Sequence, residues 1–166
     1  MNSRIVTWLL RILVASPLVI VAHLAMVALA ALVACSDLQP APIDYGSAQC
    51  TSCKMTITDK QYGSEIVTTT GKTYAFDAVE CMLSWYASEG VVKMNQVHSL
   101  WVSDHAHPGT LIDAKSACYV ASEELHSPMG LNVAAFSSSA DCDAAVTTYS
   151  GTKHTYTTVL EMAKEH

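Results

Sequence analysis

Residues 4 to 35 constrain the chain more than any other stretch. Arg4 and Arg11 stand ahead of an apolar run from Ile12 to Ala34, broken only by Ser16, Pro17 and His23, which ends on Leu32-Val33-Ala34-Cys35. An apolar run preceded by cations and closed by small residues reads as a secretory signal, not as part of a globular core. A cysteine directly after it has the form of a bacterial lipobox, in which the thiol of Cys35 takes a diacylglycerol and becomes a new N-terminus. The alternative is an uncleaved anchor helix, since the run is long enough to cross a hydrocarbon core of about 30 Å. Both readings deliver the following residues to the outer side of the cytoplasmic membrane. Ser36, standing where an acid would hold the protein back, favours onward transport to an outer membrane. Any fold must therefore be built from residues 35–166.

Charge narrows the partners. The chain has 9 lysines and arginines against 15 acids, a net of −6. The leader removes two cations and no acid, leaving −8 on the remainder. Such a surface does not neutralise phosphates, so nucleic acid is not an expected partner. About 45% of the remainder is apolar, ordinary for one globular domain or two very small ones. A multi-span membrane protein and a disordered tail are both excluded.

Beyond Cys35 lie Cys50, Cys53, Cys81, Cys118 and Cys142. In an oxidising compartment most cysteines pair, and five cannot all do so. At least one thiol is left for a core or a metal.

Residues 35–48 carry two prolines and no periodicity, the composition of a lipidated tether. Ser64 to Thr70 and Thr73 to Phe76, rich in β-branched residues and joined at Gly71-Lys72, predict a hairpin. Asp77 then reads as an N-cap with Glu80 three residues on, and Val79, Met82, Leu83 and Tyr86 fall at helical spacing up to about Gly90. In the second half, Ser99–Val102, Ala117–Val120 and Leu131–Phe136 read as strands. A helix capped by Ser138 follows through Val146, and Thr158-x-x-Glu161 reads as the cap of a short last helix. Ala75-Phe76 with Glu80-Cys81 is echoed faintly by Ala135-Phe136 with Asp141-Cys142. Strand pairs each followed by a helix make an α+β layer architecture.

The chemistry concentrates in Cys50-Thr51-Ser52-Cys53-Lys54-Met55. Three soft sulfur donors lie within six residues, a combination of thiolate and thioether that suits Cu(I). Cys53 and Met55 are two apart, so an extended segment or loop, and not a helix, points both side chains to one side. The plain alternative is a Cys50–Cys53 disulfide beside a core methionine. Ser127-Pro128-Met129-Gly130 has the signature of a type I turn. It puts Met129 at a turn tip, either as a second soft ligand closing on Cys53 and Met55 or as an exposed methionine without a role.

The remaining candidates are weaker. His126 is a possible extra nitrogen ligand or part of a second metal position. His105 and His107 share one face of an extended segment but read as solvated, and His98, His154 and His166 as unremarkable. Cys81, opening the helix, is a ligand, a disulfide partner or a small buried hydrophobe. Trp85 and Trp101 read as core. There is no Gly-x-Ser-x-Gly elbow and no glycine-rich phosphate loop. The reading is of a binding and delivery protein with no catalytic residues to assign.

Cys50-x-x-Cys53-x-Met55, Phe76-Asp77-x-x-Glu80-Cys81-Met82, Ile112-Asp113-Ala114, Tyr119-Val120 and Pro128-Met129-Gly130 through Ala135-Phe136 together resemble the NosL family, over roughly residues 48–150. The resemblance implies a membrane-anchored, periplasm-facing Cu(I) carrier that serves nitrous oxide reductase and its copper-centre maturation machinery. It also implies two related ββαβ units packed together, which the faint internal echo would fit. Carried over by motif, Cys53, Met55 and Met129 are the copper ligands, with Cys50, His126 and Cys81 as further candidates. The expected organisation is a leader over 1–34, a tether over 35–48, a first ββα-type unit over 49–92 and a second unit over 93–166.

One departure stands out: Lys54 occupies the place of the family's glycine. Lysine takes positive φ at a cost, and its cation would favour Cys53 as thiolate. Cys118 and Cys142 belong to none of these motifs; if their backbones lie close they would add a disulfide and leave three cysteines for chemistry. Two other function classes compete. A Cys50-x-x-Cys53 thiol–disulfide oxidoreductase needs a leading strand and a long following helix, neither of which the sequence offers. A structural zinc site on Cys50, Cys53, Cys81 and a histidine leaves both methionines without a role.

Overall fold

The computed structural model describes residues 38–88 and 96–166. The leader, Cys35 and the expected helix end at Gly90 lie outside the described residues. The elements are β1 (Ser64–Thr68), β2 (Thr73–Phe76), α1 (Val79–Ala87), β3 (Val97–Ser103), β4 (Leu111–Asp113), β5 (Cys118–Ala121), β6 (Val133–Phe136), α2 (Ser139–Thr148), β7 (Thr152–His154) and α3 (Tyr156–Glu165).

The strands form two antiparallel sheets, ordered β2-β1-β3-β4 and β6-β5-β7. In each sheet the first strand lies in the middle. It pairs on one side with the strand of its own hairpin and on the other with the strand that follows the helix. Glu65 thus faces Ala75 and Trp101, as Tyr119 faces Ala135 and His154. This is a ββαβ unit built twice, so the α+β reading and its internal echo both hold. β3 and β4 complete the first sheet, which therefore runs on to Asp113, past the boundary expected after residue 92.

Burial explains why the hairpin reads so clearly. Ile66, Val67 and Phe76 are fully buried, and each such side chain contributes about 1.5–3 kcal/mol on leaving water. A shared core spans both sheets: Phe76, Leu100, Tyr119, Val133 and Val159 belong to one cluster. A parallel bridge between Asp104 and Ala135 joins the edge of one unit to the other, and the His105 N–H donates to Ala135 O at 2.8 Å. The Cys118–Cys142 disulfide ties β5 to α2.

Two helix starts differ from expectation. Ser138 caps α2 as read, its Oγ accepting the Asp141 N–H. Asp77, however, does not cap α1: the N-cap is Ala78, without a side-chain bond. At α3 the cap is Thr155, accepting from the Thr158 N–H, so the helix begins about a turn before the Thr158-x-x-Glu161 pattern. At α3 two capping-type residues, Thr155 and Thr158, stand three positions apart, and only the surrounding packing chooses between them. β4 and β7, three residues each, were too short to show periodicity.

Candidate metal centre

The Cys50–Met55 segment is a tight loop, not a strand. It is closed by a Gln49–Thr56 bridge, by the Cys50 N–H donating to Met55 O at 2.8 Å, and by the Lys54 N–H donating to Cys50 O at 3.1 Å. The Thr51 N–H donates to Ala75 O at 2.8 Å and pins the loop to β2. Lys54 takes φ +67°, the conformation that glycine adopts freely. Its Nζ turns back on Thr51 O at 2.7 Å. As a result Cys50 points into the core, Cys53 is half-buried and Met55 is 47% exposed.

Asp77 and Cys81, one turn apart at the start of α1, complete a cluster with this loop. The ligand atoms of Cys50, Cys53, Asp77 and Cys81 all lie within 4.8 Å of one another. The Cys53 thiol donates to Asp77 Oδ2 at 3.3 Å, and Asp77 Oδ1 is buried without a partner. This explains why Asp77 is not a cap: its carboxylate is turned to the thiols. Cys50, Cys53 and Cys81 are all free, so the Cys50–Cys53 disulfide is not present.

The three thiols do not share one acidity. A hydrogen bond from Cys81 draws the Cys50 thiol down to about 6. Burial, followed by the Cys50 and Asp77 neighbours, pushes Cys53 up to about 11. Cys81 is raised because it donates to Cys50. Of the three thiols, Cys50 is therefore the one that gives up its proton most readily. Lys54, its ammonium engaged with a carbonyl, does not make Cys53 the thiolate.

The second element of the site is the turn at residues 127–130. The Gly130 N–H donates to Ser127 O at 3.0 Å, closing the expected turn, with Gly130 at φ +85°. Met129 is 37% exposed; it and Met55 are the exposed large hydrophobic side chains among the described residues. Ser127 Oγ donates to Glu80 Oε1 at 2.5 Å and accepts the Asn132 N–H at 2.8 Å. Glu80 is 1% exposed, and burial raises its carboxyl pKa against the opposing Ser127 bond. Its Oε2 has no partner.

A cavity of about 190 Å³ lies between these parts, lined by Cys53, Glu80, Cys81, Met129 and His166 among others. His166 Nε2 also meets Met129 O at 2.9 Å. The structure thus brings Cys53 and Met129 to one cavity, with Cys81 beside them and Cys50 behind in the core. Met55 is exposed at the loop and does not line that cavity. His126 lines a separate cavity of about 230 Å³, with His105, Tyr62 and Tyr149. His105 is buried against the rings of Tyr62, Phe136 and Tyr149, while exposed His107 pairs with Asp104 at 3.0 Å, so these two histidines do not share a face. Asp77, Glu80 and His166 are the site residues that sequence reasoning missed. The first two were read as helix-capping groups, and nothing local marks His166.

A sequence profile of the NosL family matches residues 41–163. Among solved structures, the crystal structure of the copper chaperone NosL from Shewanella denitrificans matches with a TM-score of 0.62 at 24% identity, over 72% of this chain and 94% of that one; the likeness is one of fold. No curated protein matches the sequence.

Proposed function

The chain belongs to the NosL family, and on that premise we propose that it is a Cu(I)-binding metallochaperone. In this reading it is held at the membrane, on the periplasmic side, through lipid on Cys35, with the outer membrane as its destination. It delivers copper for assembly of nitrous oxide reductase. The observation that carries the copper reading is the meeting of Cys53 and Met129, from opposite halves of the fold, at one cavity. One solved structure of like fold is that of a copper chaperone.

Copper is cargo here. Cys53 supplies the thiolate anchor, and Met129 and Met55 supply thioethers, ligands soft enough for Cu(I) and weak enough to be displaced one at a time. Both methionines are exposed, so a partner's donor atoms reach them first. Binding at Cys53 displaces the thiol proton that Asp77 now accepts as a hydrogen bond, and metal binding is then linked to proton release.

Anaerobic Cu(I) titration against a competing chelator tests this. One ion per chain is expected, with affinity lost in Cys53→Ser and weakened in Met129→Ala. Unchanged affinity in both variants ends the reading. A structural zinc site is the second reading, favoured by the three thiols and one carboxylate within 4.8 Å. Metal content after purification separates the two.

A further inference from the structure

We propose that Cys50 and Cys81 are a disulfide pair, and that closing their bond converts the four-donor cluster into a site with one thiol, Cys53. The inference deepens the copper reading and rests on it for its consequence, though not for the bond itself.

The cysteine count leads there first. Cys118 and Cys142 are already joined, and Cys50, Cys53 and Cys81 remain. An exported chain tends to pair what it can, and three thiols allow one bond. Geometry then chooses the pair. All three sulfurs lie within 4.8 Å of one another, but they face different surroundings. Cys50 is 0% and Cys81 6% exposed, both in the same apolar core cluster. Cys53 is the more open thiol and has Asp77 as its own partner. Of the possible bonds, Cys50–Cys81 joins the two thiols that the core already encloses and leaves free the one that lines the cavity with Met129. Either alternative leaves a core thiol unpaired and consumes the one that reaches the cavity.

The chemistry balances with a small-molecule disulfide as oxidant. Cys53, the most accessible of the three thiols, attacks the disulfide through its sulfur and gives up its proton to the thiolate it expels. Cys50 displaces the second from the mixed disulfide, forming a transient Cys50–Cys53 bond. Cys81 then attacks Cys50 and frees Cys53. Two thiols are oxidised, one disulfide is reduced to two thiols, and the protons of Cys50 and Cys81 pass to those products.

The two states prefer different metals. Open, the cluster presents three thiols and a carboxylate, a closed four-donor set for zinc. Joined, it offers Cys53 with thioethers, a set for a soft monovalent ion. The bond selects the cargo.

The test uses the full chain in detergent micelles, metal-free, in glutathione buffers of increasing oxidised fraction, followed by alkylation and peptide mapping. Alkylated thiols among Cys50, Cys53 and Cys81 should fall from three to one. The survivor should be Cys53, and a Cys50–Cys81 peptide should appear. Three alkylated thiols throughout, or an end product with Cys53 in the bond, overturns the proposal. Zinc provides the second arm. Removing even a residue that only orients a ligand costs about 10–100-fold in metal affinity, so loss of two ligands should weaken zinc binding by at least about tenfold. Equal zinc binding in both states overturns the metal-selection half. Cu(I) titration of the joined form separates the claims: a mapped bond without copper binding sinks the carrier reading and leaves the pair standing.

Discussion

The Ser127 hydroxyl donates to Glu80 Oε1 at 2.5 Å, a buried bond between two residues 47 positions apart. Glu80 adjoins Cys81 on α1, and Ser127 opens the turn that carries Met129. One side-chain bond therefore ties the thiol cluster to the thioether.

Ser127→Ala should remove that tie and leave a second Glu80 oxygen unpartnered beside Oε2. An unpaired buried acceptor costs about 1–3 kcal/mol, readable as a lower urea midpoint. Copper affinity should fall with it, toward that of Met129→Ala. A variant as stable as the parent, with full affinity, would show that the turn holds itself.

Glu65 predicts a pH dependence. It is buried in the middle strand of the first sheet, its Oε1 accepts the Ala41 N–H at 2.8 Å, and burial raises its carboxyl pKa despite that bond. The folded state therefore holds its proton to higher pH than the unfolded chain, whose glutamates titrate near about 4.3. This contribution to stability is complete below that value and is lost as pH rises through the folded pKa. Glu65→Gln, whose amide oxygen still accepts from Ala41, should flatten this part of the profile. Parallel unfolding profiles for the two proteins would refute it.

Reducing the Cys118–Cys142 bond should be costly because it joins β5 to α2 across 24 residues. Replacing both cysteines by serine should lower unfolding free energy by about 2–4 kcal/mol. Copper binding should survive, since neither sulfur lies in the cluster.

Lys54→Gly tests the backbone. A side chain at φ +67° bears a left-handed cost of about 1–2 kcal/mol, while glycine adds about 0.5–1 kcal/mol of unfolded-state entropy. The substitution should stabilise the protein by up to about 1.5 kcal/mol, measured by thermal unfolding. Destabilisation would mean that the bond from Lys54 Nζ to Thr51 O outweighs the strain.

Long, strongly patterned elements were readable from the sequence. β1 and β2 announce themselves by β-branched runs around Gly71, and α2 by the Ser138 cap, because each signal is local. Asp77 misled for the same reason: a carboxylate before a helix looks like a cap until the loop at residues 49–56 folds over it. β7 and β4 were invisible because three residues carry no period. His166 reaches the cavity only because α3 packs on α1, where the Ser84 hydroxyl donates to Ala163 O at 2.5 Å.

By itself the sequence determined the kind of chemistry: soft sulfur at Cys53, Met55 and Met129, and more thiols than can pair. Those are properties of residue type and spacing, set before any folding. Tertiary structure decided which sulfurs meet. It put Met129 rather than Met55 on the cavity with Cys53, turned Asp77 onto the thiols, and drew Cys50 and Cys81 into the core. Those outcomes follow from how two duplicated sheets bury a common apolar interior, a long-range packing solution that no short stretch of chain encodes.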